Sequence, residues 1–375
     1  MKLLIVTNLF PNAAEPNRAP FNRQQFTALA KLCELKVVAP IPMFRHSRKQ
    51  VPEREVIGGI EVFHPRYLAI PKILRITHGP AYFLGIWHTL RTIQRTFDYD
   101  AILAAWAYPD AYGAALAARI LRKKLIVEVL GSDINFAHQY WLRPAMIRWA
   151  LSKAERVIAV SRPLKYKVAA LGVPEDKITV IANGVNKDVF YFRQKVECRR
   201  ALGLEAGKKY ILYVGNLVEV KGVEYLVRAF RKLSGDQSME LLIVGDGELR
   251  KSLEGLAEDL GTKEQVRFKG RRPYDEVPLW LNAADVFCLP SLNEGCPNVV
   301  LEALACGTKI VASNVGGVSD IIDAPAKGWL AKACDPDDLA RQLKSALEAP
   351  TSTSAFVTKN WDDNAKALFE VLNKA

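Results

Sequence analysis

Residues 291–307 read SLNEGCPNVVLEALACG, and they carry the strongest structural signal in the sequence. The apolar run just before it, residues 285–290, predicts a strand that is covered on both faces. Pro297 suits the first position of a helix, and Gly307 suits its C-terminal cap. The stretch therefore predicts a strand, a loop and a helix, and the unpaired N–H groups at the helix start can bind a phosphate group.

Two carboxylates lie beside this helix start. Glu294 is in the predicted loop, and Glu302 is about a turn and a half into the helix. One carboxylate can accept hydrogen bonds from two neighbouring sugar hydroxyls, so Glu302 is expected to hold a ribose and Glu294 another sugar. The residues alone leave a second interpretation open, namely a capped helix that happens to carry two acidic side chains.

Short runs rich in Val, Ile and Leu recur in two series, with longer helix-like segments between them. Their continuous apolarity predicts strands buried on both faces and hence parallel α/β sheets. The predicted strands are residues 2–8, 35–39, 60–64, 101–106, 125–130, 156–161 and 178–181, then 210–214, 240–244, 266–269, 285–290 and 309–313. A pattern that runs twice predicts two doubly wound domains, joined near residues 183–192. The C-terminal stretch 361–375 predicts an amphipathic helix docked on one of them.

The composition is that of a folded protein with an excess of positive charge. Half of the 375 residues are hydrophobic and a quarter are charged, which excludes a disordered, collagen-like or coiled-coil protein. The net charge is +12; residues 1–180 carry 26 basic and 13 acidic side chains, and the remainder is nearly neutral. A polyanionic partner is therefore expected for the first half: a nucleic acid, an anionic membrane or a phosphorylated substrate.

The cysteines and histidines indicate no metal site. The six cysteines form no CxxC pair, and all five histidines lie in the first half, so a zinc site is disfavoured and buried, reduced thiols of a cytosolic protein are expected. The apolar start of the chain is too short for a signal peptide, and no apolar run reaches the roughly 18 to 20 residues of a membrane span.

Glu294 and Glu302, with seven residues between them, resemble the E-x7-E signature of retaining GT-B glycosyltransferases of family 4, the glycosyl transferases group 1, which includes bacterial polysaccharide and cell-wall enzymes. Further matches in the same order are residues 7–11 (TNLFP), 106–110 (WAYPD), 131–135 (GSDIN), 183–185 (NGV), 214–222 (VGNLVEVKG) and 244–247 (VGDG). Together they cover nearly the whole chain.

The resemblance implies an α/β protein of the GT-B fold, with two facing Rossmann-like, doubly wound domains. Residues 1–185 would bind the acceptor, together with a C-terminal helix, 358–375, that crosses back to them. Residues 186–357 would bind the nucleotide sugar. Similar enzymes use no metal or other cofactor and move a hexose-type sugar, with retention, from a UDP- or GDP-linked donor. The expected acceptor is a lipid-linked sugar or a glycan in cell-envelope or exopolysaccharide synthesis.

The resemblance also assigns roles to residues of the second domain. Lys221 matches the family lysine that neutralises the diphosphate, so Lys221 and Glu294 are the candidate catalytic residues. Asn216 stands where relatives often carry an arginine, and Arg271 or Arg272 is expected either near the base and phosphates or at the surface. The candidate donor-binding residues are Gly215, Asn216, Arg271, Gly295, Cys296, Pro297, Asn298, Val299 and Glu302.

The first domain departs from the family pattern. Ala104, Ala105 and Leu130 stand where relatives usually have histidines, and Ala19 stands where a glycine often lets the backbone approach the phosphates. The candidate acceptor or cleft residues are Ala19, Trp106, Leu130 and Asp133, the last of which could also be a helix N-cap. Two functions stay open: an active transferase, or a catalytically impaired partner subunit that binds a nucleotide sugar.

Three segments of the first half mix basic and apolar residues, namely residues 44–49, 70–75 and 79–97. In the third, a predicted helix would place Phe83, Trp87, Leu90 and Phe97 on one face. Such segments can lie on an anionic bilayer, or they can be core helices with solvated charges. We expect a cytoplasmic protein that contacts the inner face of the cell membrane. Nucleic-acid binding is disfavoured, because the basic residues are scattered and no known RNA- or DNA-binding motif is present.

Overall fold

The computed structural model describes residues 1–45, 50–69, 77–137, 141–235, 238–350 and 355–375. They form two compact units. Unit 1 comprises Met1–Gly184 together with Trp361–Ala375, and unit 2 comprises Val185–Asn360.

The strands in chain order are β1 Lys2–Val6, β2 Glu34–Val38, β3 Ile41–Pro42, β4 Arg54–Ile57, β5 Ile60–Phe63, β6 Arg66–Tyr67, β7 Ala101–Ala105, β8 Lys124–Val129, β9 Arg156–Ala159, β10 Ile178–Val180, β11 Lys209–Val214, β12 Met239–Val244, β13 Val266–Gly270, β14 Val286–Leu289, β15 Lys309–Ser313 and β16 Trp329–Ala331.

The α-helices are α1 Pro20–Leu29, α2 His78–Phe97, α3 Tyr112–Leu121, α4 Ser132–Asn135, α5 Arg143–Lys153, α6 Arg162–Ala170, α7 Lys195–Leu202, α8 Val223–Leu233, α9 Arg250–Asp259, α10 Val277–Ala283, α11 Asn298–Ala305, α12 Val318–Ile321, α13 Pro336–Glu348 and α14 Trp361–Lys374.

The main sheet of unit 1 has the strand order β10-β9-β8-β7-β1-β2-β5-β4 in the described residues. Its strands are parallel except β4, which forms a hairpin with β5. Gly58 and Gly59 make that hairpin turn with φ of 59° and 81°, a left-handed geometry that glycine adopts without strain. The apolar runs fill the strands: all of β7 is buried, as are five of the six residues of β8.

The C-terminal helix completes the core of unit 1. Trp361, Ala365, Leu368 and Leu372 are buried on α14 at helical spacing and belong to the same apolar cluster as Phe26 of α1. Asn364 donates a hydrogen bond to the carbonyl of Ala182 at 2.8 Å. The predicted return of the last helix to the first domain is therefore confirmed.

Unit 2 contains a parallel sheet of strand order β13-β12-β11-β14-β15-β16 in its described part. Numbered from β11, this is the Rossmann order 3-2-1-4-5-6. Leu212, Leu242 and Phe287 lie in its core and have no exposed surface. The predicted α/β class with two doubly wound sheets is confirmed.

Several local predictions were wrong in detail. On α2 the buried side chains are Tyr82, Ile86, Leu90, Ile93 and Phe97, whereas Phe83 and Trp87 pack together on the flank of that face. The reason is that the apolar stripe runs through Tyr82 and Ile86 at spacings of three and four residues.

The thiols also differ from the prediction. None of the six cysteines forms a disulfide, but Cys334 is exposed and Cys33 and Cys296 are only partly buried. Of the predicted basic segments, residues 46–49 and 70–75 lie outside the described residues. In the described part of the chain, each helix is too short or too polar to cross a bilayer.

Candidate active site

The strand order of unit 2 brings two loops together. β11 and β14 are neighbours in the sheet, and the chain continues from them in opposite directions, from β11 to β12 and from β14 to β15. Ligands of open α/β sheets bind at the carboxyl ends of strands at such a point. The loop after β11 holds Gly215, Asn216 and Lys221, and the loop after β14 holds Ser291 and Glu294.

Lys221 and Glu294 form an ion pair at this switch point. The ammonium of Lys221 donates to Oε1 of Glu294 at 2.7 Å, and the hydroxyl of Ser291 donates to the same oxygen at 2.6 Å. The Glu294 side chain is 9% exposed and that of Lys221 27%. The two candidate catalytic residues, 73 positions apart, are thus in direct contact.

Glycines allow the backbones of these loops to come close. Gly222 has φ 59°, and a Cβ there would lie 2.3 Å from the carbonyl oxygen of Pro290. A Cβ on Gly316, φ 51°, would lie 1.9 Å from the carbonyl oxygen of Glu294. Larger residues would push the loops apart and separate the ion pair.

Helix α11 begins directly after the Glu294 loop, at Asn298. Pro297 is its N-cap, one position earlier than predicted, because its φ of −73° comes with an extended ψ of 106°. The first-turn amides point out of the helix start beside Gly295 and Cys296, as in any α-helix. The predicted anion-binding residues, from Gly295 to Val299, are therefore contiguous at one helix end.

Glu302 lies on α11, partly buried, and accepts a hydrogen bond from the hydroxyl of Tyr274 at 3.4 Å. Burial raises the pKa of Glu302 to about 7, against the opposing effect of this hydrogen bond. The Tyr274 ring packs edge-on against Phe190 at 5.1 Å between centroids. The sequence patterns did not indicate Tyr274, although it lies only two residues after Arg272.

The remaining candidate donor residues lie around the same strand ends. Asn216 is exposed, and its carbonyl accepts from the hydroxyl of Tyr213 at 2.9 Å. Gly215 packs so closely against Gly245 that a Cβ on Gly245 would lie 1.8 Å from the carbonyl oxygen of Gly215. Arg271 and Arg272 differ in the contacts that they make, as follows.

Arg272 donates to the carbonyl of Lys269 at 3.1 Å and its guanidinium lies 5.6 Å from the centre of the Trp280 ring. Arg271 is exposed and makes no hydrogen bond or ion pair with any described residue. Of the pair, Arg271 is therefore the one whose charge is available to a ligand.

Unit 1 has its own switch point, between β1 and β7. The loop after β1 leads to Ala19, the N-cap of α1, which has a left-handed φ of 43°. This is the position where relatives often have glycine, and an alanine there costs roughly 1 kcal/mol. Trp106 follows β7 directly and is partly buried.

Asp133 ties the loops after β7 and β8 together. Its carboxylate accepts from the backbone N–H groups of Ala107 at 2.9 Å, Gly131 at 2.8 Å and Leu130 at 3.2 Å. It lies inside the short helix α4 and is not its N-cap, so that alternative is wrong. Burial raises the pKa of Asp133, although these amides act in the other direction. Asp133 therefore fixes the backbone at Leu130 and Gly131, and with it the position of the Leu130 side chain.

The positions where relatives have histidines are not equivalent in the fold. Ala104 and Ala105 are fully buried in β7, within the core of unit 1. Leu130 is partly exposed at the end of β8. A titratable group at position 130 would reach the switch point of unit 1, whereas one at 104 or 105 would replace core packing.

Asp110, the last residue of the WAYPD stretch, is a further buried acid at this switch point. It accepts hydrogen bonds from the amide group of the Asn8 side chain at 2.7 Å and from the hydroxyl of Tyr82 at 2.5 Å. Burial raises its pKa to about 7. Asp110 thereby joins the loops after β1 and β7 to helix α2. No group of three or more His, Cys, Asp or Glu side chains suited to a metal ion occurs in the described part of the chain.

Comparison with known proteins identifies the family. The profile of the family "Glycosyl transferases group 1" matches residues 194–367, and that of "Glycosyltransferase Family 4" matches residues 24–189. An uncharacterised glycosyltransferase of Methanocaldococcus jannaschii is 38% identical over 340 residues, 86% of each chain. The putative teichuronic acid biosynthesis glycosyltransferase TuaC of Bacillus subtilis is 30% identical over 335 residues, 86% of this chain and 83% of that one.

Among solved structures, Anabaena HepE in complex with UDP has a TM-score of 0.74 at 20% identity and covers all of this chain and 97% of its own. That likeness shows the fold. The sequence relatives show the family, and this chain is accordingly a transferase enzyme of the family 4 glycosyltransferases, the glycosyl transferases group 1, with the GT-B fold.

Proposed function

We propose that this enzyme moves a hexose from a nucleoside-diphosphate sugar, UDP- or GDP-linked, to a lipid-linked or glycan acceptor, with retention of the anomeric configuration. The observation that carries the proposal is the 2.7 Å contact of Lys221 with Glu294 at the start of helix α11. It brings a cation, an anion and the outward-pointing amides of a helix start together at the carboxyl ends of β11 and β14. The cation and the amides suit a diphosphate, and the anion suits the hydroxyls of a sugar.

The ammonium of Lys221 balances the charge that builds on the leaving diphosphate. An ammonium has three N–H donors, and the bond to Glu294 uses one of them and orients the others. The first-turn amides of α11 supply further positive potential for a phosphate. Transfer without a metal ion fits this arrangement, because the lysine and the helix start carry the compensating charge.

The carboxylates hold the two sugars of the donor. Glu302 accepts hydrogen bonds from the two ribose hydroxyls, and the hydrogen bond from Tyr274 orients its carboxylate. Glu294, in the loop nearer the diphosphate, holds the transferred hexose. With retention, the departing diphosphate oxygen receives the acceptor proton on the same face of the sugar.

The names of relatives support an acceptor in cell-envelope polysaccharide synthesis. The Bacillus subtilis relative is named for teichuronic acid biosynthesis, and the HepE structure contains UDP. Unit 1 would bind the acceptor at its own switch point, beside Ala19, Trp106, Leu130 and Asp133.

A ligand screen tests the donor assignment directly. We expect UDP or GDP, but not both equally, to raise the melting temperature of the protein, and the matching sugar nucleotide to be turned over with a lipid-linked acceptor. Lys221→Met should reduce the shift, whereas the exposed Lys251→Met on α9, outside the site, should not. Absence of any shift with nucleoside diphosphates and their common sugars would contradict the proposal.

Membrane contact is a further part of this proposal. Residues 1–180 carry a net charge of +13, and large apolar side chains are exposed in unit 1, among them Phe44 at 75%, Leu84 at 71% and Trp141 at 87%. Basic side chains near an anionic bilayer contribute about 1 kcal/mol each. We place the enzyme in the cytoplasm at the inner face of the membrane. Sedimentation with anionic vesicles at moderate salt should show binding; protein that stays entirely in the supernatant would contradict it.

The apolar Leu130 favours one alternative function, a partner subunit that binds the nucleotide sugar but transfers it poorly. It puts no titratable group at the end of β8, where relatives have a histidine. Ala104 and Ala105 add nothing to this alternative, because both are core residues. Binding of a sugar nucleotide without turnover, restored by Leu130→His, would support it.

A further inference from the structure

A cavity lies in unit 2 at the amino ends of the strands, whereas the candidate active site lies at their carboxyl ends. It has a volume of about 430 Å³. Its wall includes Asp285, which precedes β14, and Lys309, the first residue of β15. The loop with Glu294 follows the other end of β14, and at about 3.3 Å per residue the two ends of the strand are roughly 15 Å apart. We call it the amino-end cavity, and the proposed transfer does not use it.

Positive charge dominates the amino-end cavity. Arg193, Lys195 and Lys309 line it, and Asp285 is the one acid among the described lining residues. Asp285 is already paired: Arg199 donates to Oδ2 at 2.7 Å and Lys195 to Oδ1 at 2.8 Å. The wall therefore keeps an excess of positive charge.

These cations retain donors that no protein group uses. The ammonium of Lys309 donates to the carbonyls of Ala346 and Ala349 at 2.7 and 2.8 Å, which leaves one of its three N–H groups. The ammonium of Lys195 uses one N–H, on Asp285. The Nε of Arg193 is buried and has no hydrogen-bond partner among the described residues.

The basic groups are also close enough to affect one another. Burial lowers the pKa of Lys309, and the positive charge of Lys195 lowers it further. The guanidinium of Arg193 is held 4.4 Å from the centre of the Tyr191 ring, so it cannot move freely into solvent. An anion in the cavity would satisfy the unused donors and remove the repulsion.

We propose that the amino-end cavity binds a small organic phosphate of about hexose-monophosphate size. A phosphate dianion matches the excess charge, and α7 directs the positive end of its dipole to the cavity because it begins at Lys195. The volume is at the lower end of the range for ligand pockets. Gln194 and Thr308 line the same wall and offer neutral polar groups to sugar hydroxyls.

Isothermal titration of the full-length protein with glucose 6-phosphate tests this site, with inorganic phosphate and glucose as reference ligands. We expect saturable binding of glucose 6-phosphate that is weaker by about tenfold or more in Arg193→Gln and in Lys195→Gln, because each loses a charge-assisted hydrogen bond. Arg200→Gln is the matched control, since Arg200 is exposed on the same helix and does not line the cavity. It should change the dissociation constant by less than about twofold.

The experiment also separates this site from the proposed donor site. In Lys221→Met, binding of a nucleoside diphosphate should weaken while binding of glucose 6-phosphate stays unchanged. Displacement of glucose 6-phosphate by UDP, equal weakening in Arg200→Gln, or no saturable binding would overturn the proposal. Inorganic phosphate that binds as tightly as glucose 6-phosphate would overturn the organic part of it.

Discussion

Glu128 on β8 makes unit 1 less stable as the pH rises, which is the reverse of the usual effect of a carboxyl group. Its side chain is fully buried; Oε1 accepts from the side chain of Gln25 at 2.8 Å, and Oε2 has no partner among the described residues. Burial raises the pKa of Glu128 from the ordinary 4.5 to about 7, despite the bond from Gln25. We predict that Glu128→Gln stabilises the protein, and does so most at alkaline pH.

The magnitude follows from the two pKa values. Between about pH 4.5 and 7 the folded state holds a proton that the unfolded state has lost, so the free energy of unfolding falls as the pH rises through this range. One pKa unit corresponds to about 1.4 kcal/mol. The uncharged glutamine escapes this effect, and its advantage over the wild type should grow from about 1 kcal/mol at pH 5 to about 3 kcal/mol at pH 8.

Urea unfolding of the two proteins at several pH values between 5 and 8 measures this difference. Any pH-independent cost of burying the amide changes the difference between variant and wild type equally at pH 5 and pH 8. The test is therefore whether this difference in the free energy of unfolding grows by about 2 kcal/mol between these pH values. Glu34→Gln is the control, because Glu34 is exposed at the start of β2 in the same sheet and should give no such widening. Parallel pH curves for Glu128→Gln and the wild type would refute the reasoning.

Four further predictions concern the two switch points. Lys221→Ala should fold normally but lose about a hundredfold in kcat, roughly 3 kcal/mol, since it removes the charge beside the diphosphate; an unchanged kcat would exclude this role. Because binding of ribose needs the ionised form of Glu302, UDP or GDP affinity should fall as the pH drops from 8 to 6, and Glu302→Gln should abolish that dependence in titration calorimetry; a dependence that persists in the variant would contradict the assignment. Ala19→Gly should raise the free energy of unfolding by about 1 kcal/mol, whereas Ala30→Gly, at a φ of −63°, should lower it; equal effects in urea unfolding would argue against strain at position 19. Leu130→His should leave kcat nearly unchanged if the site is adapted to leucine, and a large gain in turnover would identify a disabled site.

The strands of both sheets were predictable because parallel strands are buried on both faces. The predicted run at residues 210–214 lies within Lys209–Val214, and that at 309–313 matches Lys309–Ser313. The edge strand β4 escaped prediction because its residues alternate between exposed and partly buried, and its pairing is antiparallel. β16 has only three residues, too few for a pattern.

The sequence indicates candidate site residues, but it does not indicate which of them are in contact. The spacing of Glu294 and Glu302 is local and can be read from the sequence. The 2.7 Å contact of Glu294 with Lys221 depends on β11 and β14 being neighbours, which is a property of strand order. Tyr274, the hydrogen-bond partner of Glu302, is 28 positions away and follows a different strand, so no periodicity could indicate it.

The place of the C-terminal helix has a consequence for biosynthesis. Trp361–Ala375 complete the unit that Met1–Gly184 begin, and Leu372 of this helix is buried in that unit. The apolar cluster around Phe26 therefore cannot close before residues 361–372 have been synthesised and have left the ribosomal exit tunnel. Unit 2, which is continuous in sequence, can fold during translation, and the unit that is synthesised first is finished last.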